Sequence, residues 1–250
     1  MDDALVLLVD IGNSFAKFGV FAANGKIEQS FRMPVSDALD TKSIEPYFEN
    51  RKKGVKVLIS SVGSDVALKR LTFFLSQQEH VSMHRVASSG ECCGIKNCYD
   101  EPKTLGADRW CAMIGARQLT ANSFCVVDVG SAVTMDYVSA NGCFRGGMII
   151  PGWKSWASAL RQDMGLIIES DHMGIAAGCS TEGAVVAGYV NAIAGAIRQL
   201  IKQFTRTEKH KPLIFLTGGG AEVIAKVVDF PYRHEPQLVL HGLATIGKTL

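Results

Sequence analysis

Two aspartates close apolar runs and are each followed, two residues on, by a glycine. They are Asp10 in LLVDIGNS (Leu7–Ser14) and Asp128 in CVVDVGSA (Cys125–Ala132). A carboxylate at a strand end, beside a turn with exposed amides, can hold a hydrated Mg²⁺ while the amides meet phosphate oxygens. Gly12 and Gly130 would let the backbone approach a phosphate, because a side chain there would stand in the way. Asn13, Ser14 and Ser131 add polar hydrogens at the same place, and Lys17 can reach it as a point charge. One Asp-x-Gly is ordinary turn chemistry. Two at matching positions of a repeated plan point to a phosphate-and-metal clamp.

YDEPKTLGADRW (Tyr99–Trp110) sets Asp108 and Arg109 beside a glycine at a helix start. A carboxylate that takes a proton from a hydroxyl, with a guanidinium that fixes a substrate anion, is what phosphoryl transfer to an alcohol needs. The same letters also read as an N-cap aspartate with a surface arginine. LTGGGAE (Leu216–Glu222) runs from a strand through glycines into a helix, which suits either a nucleotide contact or a tight connection. Thr181 stands at a helix start, where capping is the default role of a hydroxyl. GLATIGKT (Gly242–Thr249) matches the spacing of a Walker phosphate loop, but only Leu250 follows, so no helix can present its N-terminus to a phosphate.

The elements that must position these residues follow from periodicity. LVLLVD reads as a buried strand and FAKFGVFAA as its hairpin partner, with Asn24-Gly25 at the next turn. VKVLISSV reads as a strand covered on both faces. TKSIEPYFENRKK and SDVALKRLTFFLSQ read as helical, the second with Ser64-Asp65 as its cap. A helix is expected from about Asp108 to Leu119. The pattern then restarts: FCVVDVG as a strand, AVTMDYVSANGCFRGGMIIPG as a meander, and GWKSWASAL as a helix whose Trp153 and Trp156 fill core, the default, or cover a pocket. TEGAVVAGYVNAIAGAIRQLIKQF reads as a long helix, PLIFLTGGG as a strand and HGLATIGKTL as a closing helix. This weak internal repeat predicts two similar lobes, 1–117 and 118–250, facing each other across a cleft.

Composition narrows the function classes. A net charge of +2, with no basic block interleaved with aromatics, argues against a nucleic-acid binder. The acids in MDDALVLLVDIG oppose a secretory signal. Gly183–Ile197 contains Asn191 and falls short of the ~20 apolar residues of a spanning helix. A cytoplasmic protein without a membrane segment is expected, and seven cysteines with no regular framework suit a reducing compartment. Cys92, Cys93 and Cys98, near His80 and His84, lack the two-residue spacing of a zinc knuckle, so buried thiols are the default. Gly183, Ala184, Ala187, Gly188, Ala192 and Gly195 make the long helix thin, which favours close helix packing and a dimer interface.

Taken in order, DIGNS, YDEPKTLGADR, DVGSAVT, FRGGMIIPG, TEGAVVAG, LTGGG and LVLHGL resemble the type III pantothenate kinases, of the acetate kinase, sugar kinase, Hsp70 and actin superfamily. The resemblance spans nearly the whole chain. It implies an α/β fold of two ribonuclease H-like, actin-like ATPase lobes around a central cleft. It also implies ATP-dependent phosphorylation of the primary hydroxyl of pantothenate, the first step of coenzyme A biosynthesis. Under it, Asp10, Ile11, Gly12, Asn13, Ser14, Phe15, Ala16 and Lys17 form the first phosphate loop, with Asp10 serving Mg²⁺-bound ATP and Ser131 contacting ATP from the second lobe. Asp108 is the general base. Tyr99, Gly106, Ala107, Asp108, Arg109 and Thr181 meet pantothenate, with Thr181 supplied by the other subunit of a homodimer. Asp128 is the ligand of a monovalent cation, K⁺ or NH₄⁺. Ser14 and Ser131 stand where threonine is commoner in the family, and Gly220 where an acid is often found. The alternative is a nucleotide-binding regulatory factor that keeps the loops without kinase activity.

Overall fold

The computed structural model describes residues 5–22, 24–35, 41–49, 54–168, 174 and 176–250. The chain divides into two compact units, 1–119 with 237–250, and 120–236.

The first unit is built on a five-stranded sheet. β1 (Leu5–Ile11), β2 (Phe15–Phe21) and β3 (Ile27–Pro34) form an antiparallel meander. β4 (Val55–Ser61) pairs parallel to β1 after a crossover. α1 (Asp65–Ser76) carries the chain back to β5 (Val81–Arg85), parallel to β4. Leu7, Val9 and Ile11 of β1 and Val57 and Ile59 of β4 join Leu68, Leu71 and Leu75 of α1 in one core. Each such side chain contributes roughly 1.5–3 kcal/mol when fully buried. Leu8, facing the other way, is buried too, and Leu5 and Val6 are half-buried, so the sheet is covered on both faces and the apolar run is unbroken. A short hairpin, β6 (Glu91–Cys92) and β7 (Ile95–Lys96), precedes α2 (Ala107–Arg117).

The second unit repeats the plan. β8 (Phe124–Val129), β9 (Ala132–Val138) and β10 (Phe144–Pro151) form the meander. α3 (Trp153–Met164) and α4 (Thr181–Glu208) follow, then β11 (Leu213–Thr217), α5 (Ala221–Ala225) and β12 (Tyr232–His234). The strand orders β3-β2-β1-β4-β5 and β10-β9-β8-β11-β12 are the same connectivity. α4 is long and apolar enough by composition to cross a membrane. Its residues Val186, Tyr189, Val190, Ile193, Ile197 and Leu200 lie in the core of this unit. Trp153 and Trp156 are half-buried and pack on Tyr189 at ring distances of 5.3 and 5.7 Å, against this core rather than within it.

α6 (Leu238–Gly247) belongs to the first unit, so that unit is discontinuous and the expected 118–250 lobe gives up its last segment. The reason is packing against α2. A side chain at Gly115 would overlap the Leu238 carbonyl, and one at Gly242 the Cys111 carbonyl, so the two helices cross backbone to backbone. Lys56 Nζ donates to the Gly247 carbonyl at 2.9 Å, and Gln237 Nε2 to Ser30 Oγ at 2.7 Å. The Walker-like letters therefore lie largely within a helix and form no phosphate loop.

The expected helix over TKSIEPYFENRKK is instead two 3-10 turns, Thr41–Ser43 and Glu45–Tyr47, with 50–53 outside the described residues. Pro46 lacks the N–H that a continuing α-helix would use.

Candidate active site

β1 delivers Asp10 to the rim of the first sheet, where its Oδ1 is buried. Directly across β2 stands Lys17, and directly across β4 stands Ser60. Ser60 is fully buried, and its Oγ has no hydrogen-bond partner among the described residues. The turn after Asp10 closes by the Gly12 N–H donating to the Phe15 carbonyl at 3.0 Å. It leaves Asn13 and Phe15 exposed, Ile11 and Ala16 in the core, and Gly12, Ser14 and Lys17 half-buried.

Gly63, at the end of β4, holds this turn in place. Any side chain there would overlap the Gly12 carbonyl. Gly63 donates its N–H to the Ile11 carbonyl at 3.3 Å, and Val62 does so at 3.2 Å. Neither Ser60 nor Gly63 stands out in the sequence by residue type alone. The signal that finds them is the internal repeat, because LISSVG occupies in the first half the place of FLTGGG in the second, with Ser60 beside Asp10 as Thr217 is beside Asp128.

Asp108 comes from α2. Gly106 is the N-cap, so Asp108 sits inside the first turn rather than capping it, and Arg109 is buried at 8% exposure rather than on the surface. The reading of an N-cap aspartate with a surface arginine is thereby set aside. Asp108 Oδ1 accepts the Arg109 N–H at 2.7 Å. Arg109 Nη1 donates to Tyr99 Oη at 2.9 Å, which ties the loop before the helix to its first turn. Ala107 is buried beside them.

Electrostatics gathers these groups. Burial pushes the Asp108 carboxyl up from its ordinary value, opposed by the Arg109 N–H and by the positive charges of Arg109 and Lys17. One turn along α2, burial pushes the Cys111 thiol well up, with the charges of Asp10 and Asp108 adding to the effect. Two carboxylates and a lysine from β1, β2 and α2 thus share one neighbourhood of the first unit. A carboxylate raised by burial is a stronger proton acceptor than a free one.

The second unit builds a related turn around Asp128. The Gly130 N–H donates to the Ala132 carbonyl at 3.0 Å. Thr134 lies opposite Asp128 on β9, where the first unit has Lys17 opposite Asp10. Gly218, at φ +88°, packs so tightly that any side chain would overlap Asp128 Oδ1, and Gly220 donates its N–H to the Val129 carbonyl at 2.9 Å. The glycine run is therefore a close partner of the Asp128 turn. The helix after it, α5, has only five residues. Gly152 closes the other side, its N–H on the Ser131 carbonyl at 3.2 Å. Ser131 itself is exposed.

Thr181 is the first residue of α4 and exposed, but the cap is Ser180, whose Oγ accepts the Gly183 N–H at 3.0 Å. The capping role expected of Thr181 thus falls to its neighbour, which leaves the threonine hydroxyl at the helix start.

Among the described residues no group of three or more His, Cys, Asp and Glu could hold a metal. The cysteines are all thiols, but only Cys111 and Cys125 are buried, contrary to the default.

A family model for type III pantothenate kinase matches residues 6–203. This chain belongs to the type III pantothenate kinase family. Among its relatives, the type III pantothenate kinase of Nitrosomonas eutropha is 32% identical, with 98% of this chain and 95% of that protein covered. That of Aromatoleum aromaticum is 31% identical, with 98% of each covered. Two solved structures are similar in fold. One, described as a Baf family transcriptional activator from Campylobacter jejuni, has a TM-score of 0.60 at 20% identity, covering 98% of this chain and 100% of that one. The other, the activator of 2-hydroxyisocaproyl-CoA dehydratase from Clostridium difficile with bound ADPNP, has a TM-score of 0.53 at 11% identity, covering 96% and 92%. The fold is that of the actin-like ATPases and sugar kinases, one ribonuclease H-like unit repeated, and the chain is a kinase of the pantothenate kinase family in sequence and architecture.

Proposed function

We propose that the protein transfers the γ-phosphoryl group of ATP to the primary hydroxyl of pantothenate, giving 4'-phosphopantothenate and ADP in the first step of coenzyme A biosynthesis. The observation that carries this reading is the gathering of Asp10, Lys17 and Asp108 in one unit of a chain that matches the family over residues 6–203. Asp108 takes the hydroxyl proton as the oxygen attacks the γ-phosphorus in line, and ADP leaves. Lys17 and the amides of the Gly12–Ser14 turn offset the phosphate charge. Arg109, held by Tyr99, fixes the pantothenate carboxylate, with Gly106 and Ala107 lining the same place.

The oxygen set of Asp10, with the orphan Ser60 hydroxyl beside it, fits a hard divalent cation with its waters. Mg²⁺ held there would neutralise charge on the triphosphate. Asp128, with Thr134 opposite and glycine packed against it, is an oxygen-rich turn that fits K⁺ or NH₄⁺. Ser131 contacts ATP from that second turn.

A homodimer completes the proposal, with Thr181 reaching pantothenate in the other subunit. What supports it is the outer face of α4, where Ala184, Gly188, Asn191, Ala192 and Gly195 are exposed and small enough for close helix packing. Its setting is the cytoplasm, where the thiols stay reduced.

The test is ADP release measured with and without pantothenate across a panel of small alcohols and sugars, in K⁺ and then in Na⁺. Release that depends on pantothenate and falls when Na⁺ replaces K⁺ is expected. ATP binding with no pantothenate-dependent release would favour a nucleotide-binding regulator, and release with another alcohol would move the substrate.

A further inference from the structure

The β6–β7 hairpin breaks a rule of turn chemistry. Cys92 pairs with Ile95, so Cys93 and Gly94 alone make the turn, at φ +49° and +81°. A two-residue turn with both φ positive is the type I′ turn, which favours Asn-Gly, Asp-Gly or Gly-Gly. A cysteine at its first position is strained, and local rules are most often broken where something other than folding is selected. The conformation sets Cys92 Sγ and Cys93 Sγ 3.3 Å apart, both half-buried, while Glu91, Gly94 and Lys96 are exposed and Ile95 is buried.

The pair is poorly suited to a disulfide. Consecutive Cα atoms lie about 3.8 Å apart across a trans peptide, whereas disulfides span about 4.4–6.8 Å between Cα atoms. A single atom placed between the sulfurs avoids that conflict, because it needs two thiols only in van der Waals contact and aimed at one side. We propose that Cys92 and Cys93 form a dithiol site for one soft, thiophilic centre with two exchangeable positions, of which a trivalent arsenical is the type. In the capture step two As–S bonds form, the two S–H protons leave with two arsenic-bound hydroxides as water, and arsenic stays trivalent. No electrons are transferred, so no oxidant is required.

The surroundings favour a chelate over simple alkylation or oxidation. Burial, then the hydrogen bond and charge of Cys92, push the Cys93 thiol up to about 11, so Cys93 stays protonated at neutral pH. Reactions that need a free thiolate are then slow. Exchange with an arsenic-bound hydroxide carries its own proton acceptor.

The full-length reduced chain is treated with one equivalent of phenylarsine oxide. One phenylarsenic group per chain by intact mass is expected, with two thiols lost to titration, retention in excess monothiol and release by a dithiol. Cys93→Asn suits the left-handed turn position and keeps the hairpin. It and Cys92→Ser should each weaken retention by about 10²-fold or more, the usual advantage of two linked contacts. Capture that survives both substitutions, or that excess monothiol reverses in the unaltered protein, would assign the adduct to the exposed Cys98 and Cys179 and overturn the proposal.

Discussion

A Cβ added at Gly106 would stand 2.7 Å from Asp108 Oδ1, so the residue that caps α2 also fixes where the carboxylate can sit. The backbone at Gly106, φ −55° and ψ 134°, is open to any L-residue. Gly106→Ala should therefore fold with an unchanged melting temperature and lose turnover by up to about 10²-fold, the cost of a small misplacement at the reacting atoms. Thermal melts beside steady-state kinetics check both halves.

Asp108→Asn should separate catalysis from stability. Turnover should fall by about 10²–10⁴-fold, the ordinary span for a general base. The folded-state pKa is raised, chiefly by burial, so the ionised carboxylate weakens the fold, and this residue favours folding most at low pH and less as pH rises through its folded value. The variant should thus melt above the parent at pH 8, and the gain should shrink as pH falls. Melting curves across that range that run parallel would contradict the assignment of a buried, raised carboxyl.

Tyr99→Phe removes the hydroxyl that receives Arg109 Nη1 at 2.9 Å. A hydrogen bond to a charged group contributes about 1.5–3 kcal/mol, so kcat/KM for pantothenate should fall by about 10–100-fold. The loss should appear mainly in KM, since the pair orients the substrate and takes no proton. An equal loss in kcat at saturating pantothenate would assign the pair to the transition state instead.

Glycines of opposite kind make a paired test. Gly218→Ala meets both a left-handed backbone and the Asp128 turn, and should cost well over ~1 kcal/mol, read as a lowered denaturation midpoint. Gly188, on α4, has open space around the Cβ position. Gly188→Gln should leave the single chain as stable as before yet shift a dimer to monomer in size-exclusion chromatography at micromolar concentration. A variant that stays dimeric would move the interface off this face.

The two Asp-x-Gly strands are legible because their repetition reports a duplicated sheet, whereas either one alone is ordinary turn chemistry. β1 and β2, α1 with its Ser64 cap, and the long α4 follow directly from periodicity, whereas β3, mostly exposed, carries no apolar run that would announce it. The segment at Thr41–Tyr47 is not the helix its sequence suggests, because Pro46 stops the α-helical hydrogen bonding and leaves two 3-10 turns. α6 was placed in the wrong unit for a deeper reason, since periodicity reports that a helix exists and is silent on which core receives it. Gly115 and Gly242 decide that by backbone contact, and no single residue announces such a pairing. Ser60 escaped notice because a serine in a strand is unremarkable until its hydroxyl is found buried beside Asp10.

The seam between α2 and α6 also has a temporal meaning. The helix that carries Asp108 leans on a segment translated some 120 residues later, at ribosomal speeds of about 5–20 residues per second. The nascent first unit must therefore wait, for several seconds or more, with the Cys111 face of α2 uncovered, and the 120–236 unit can finish folding before it. Competence for chemistry waits on α6.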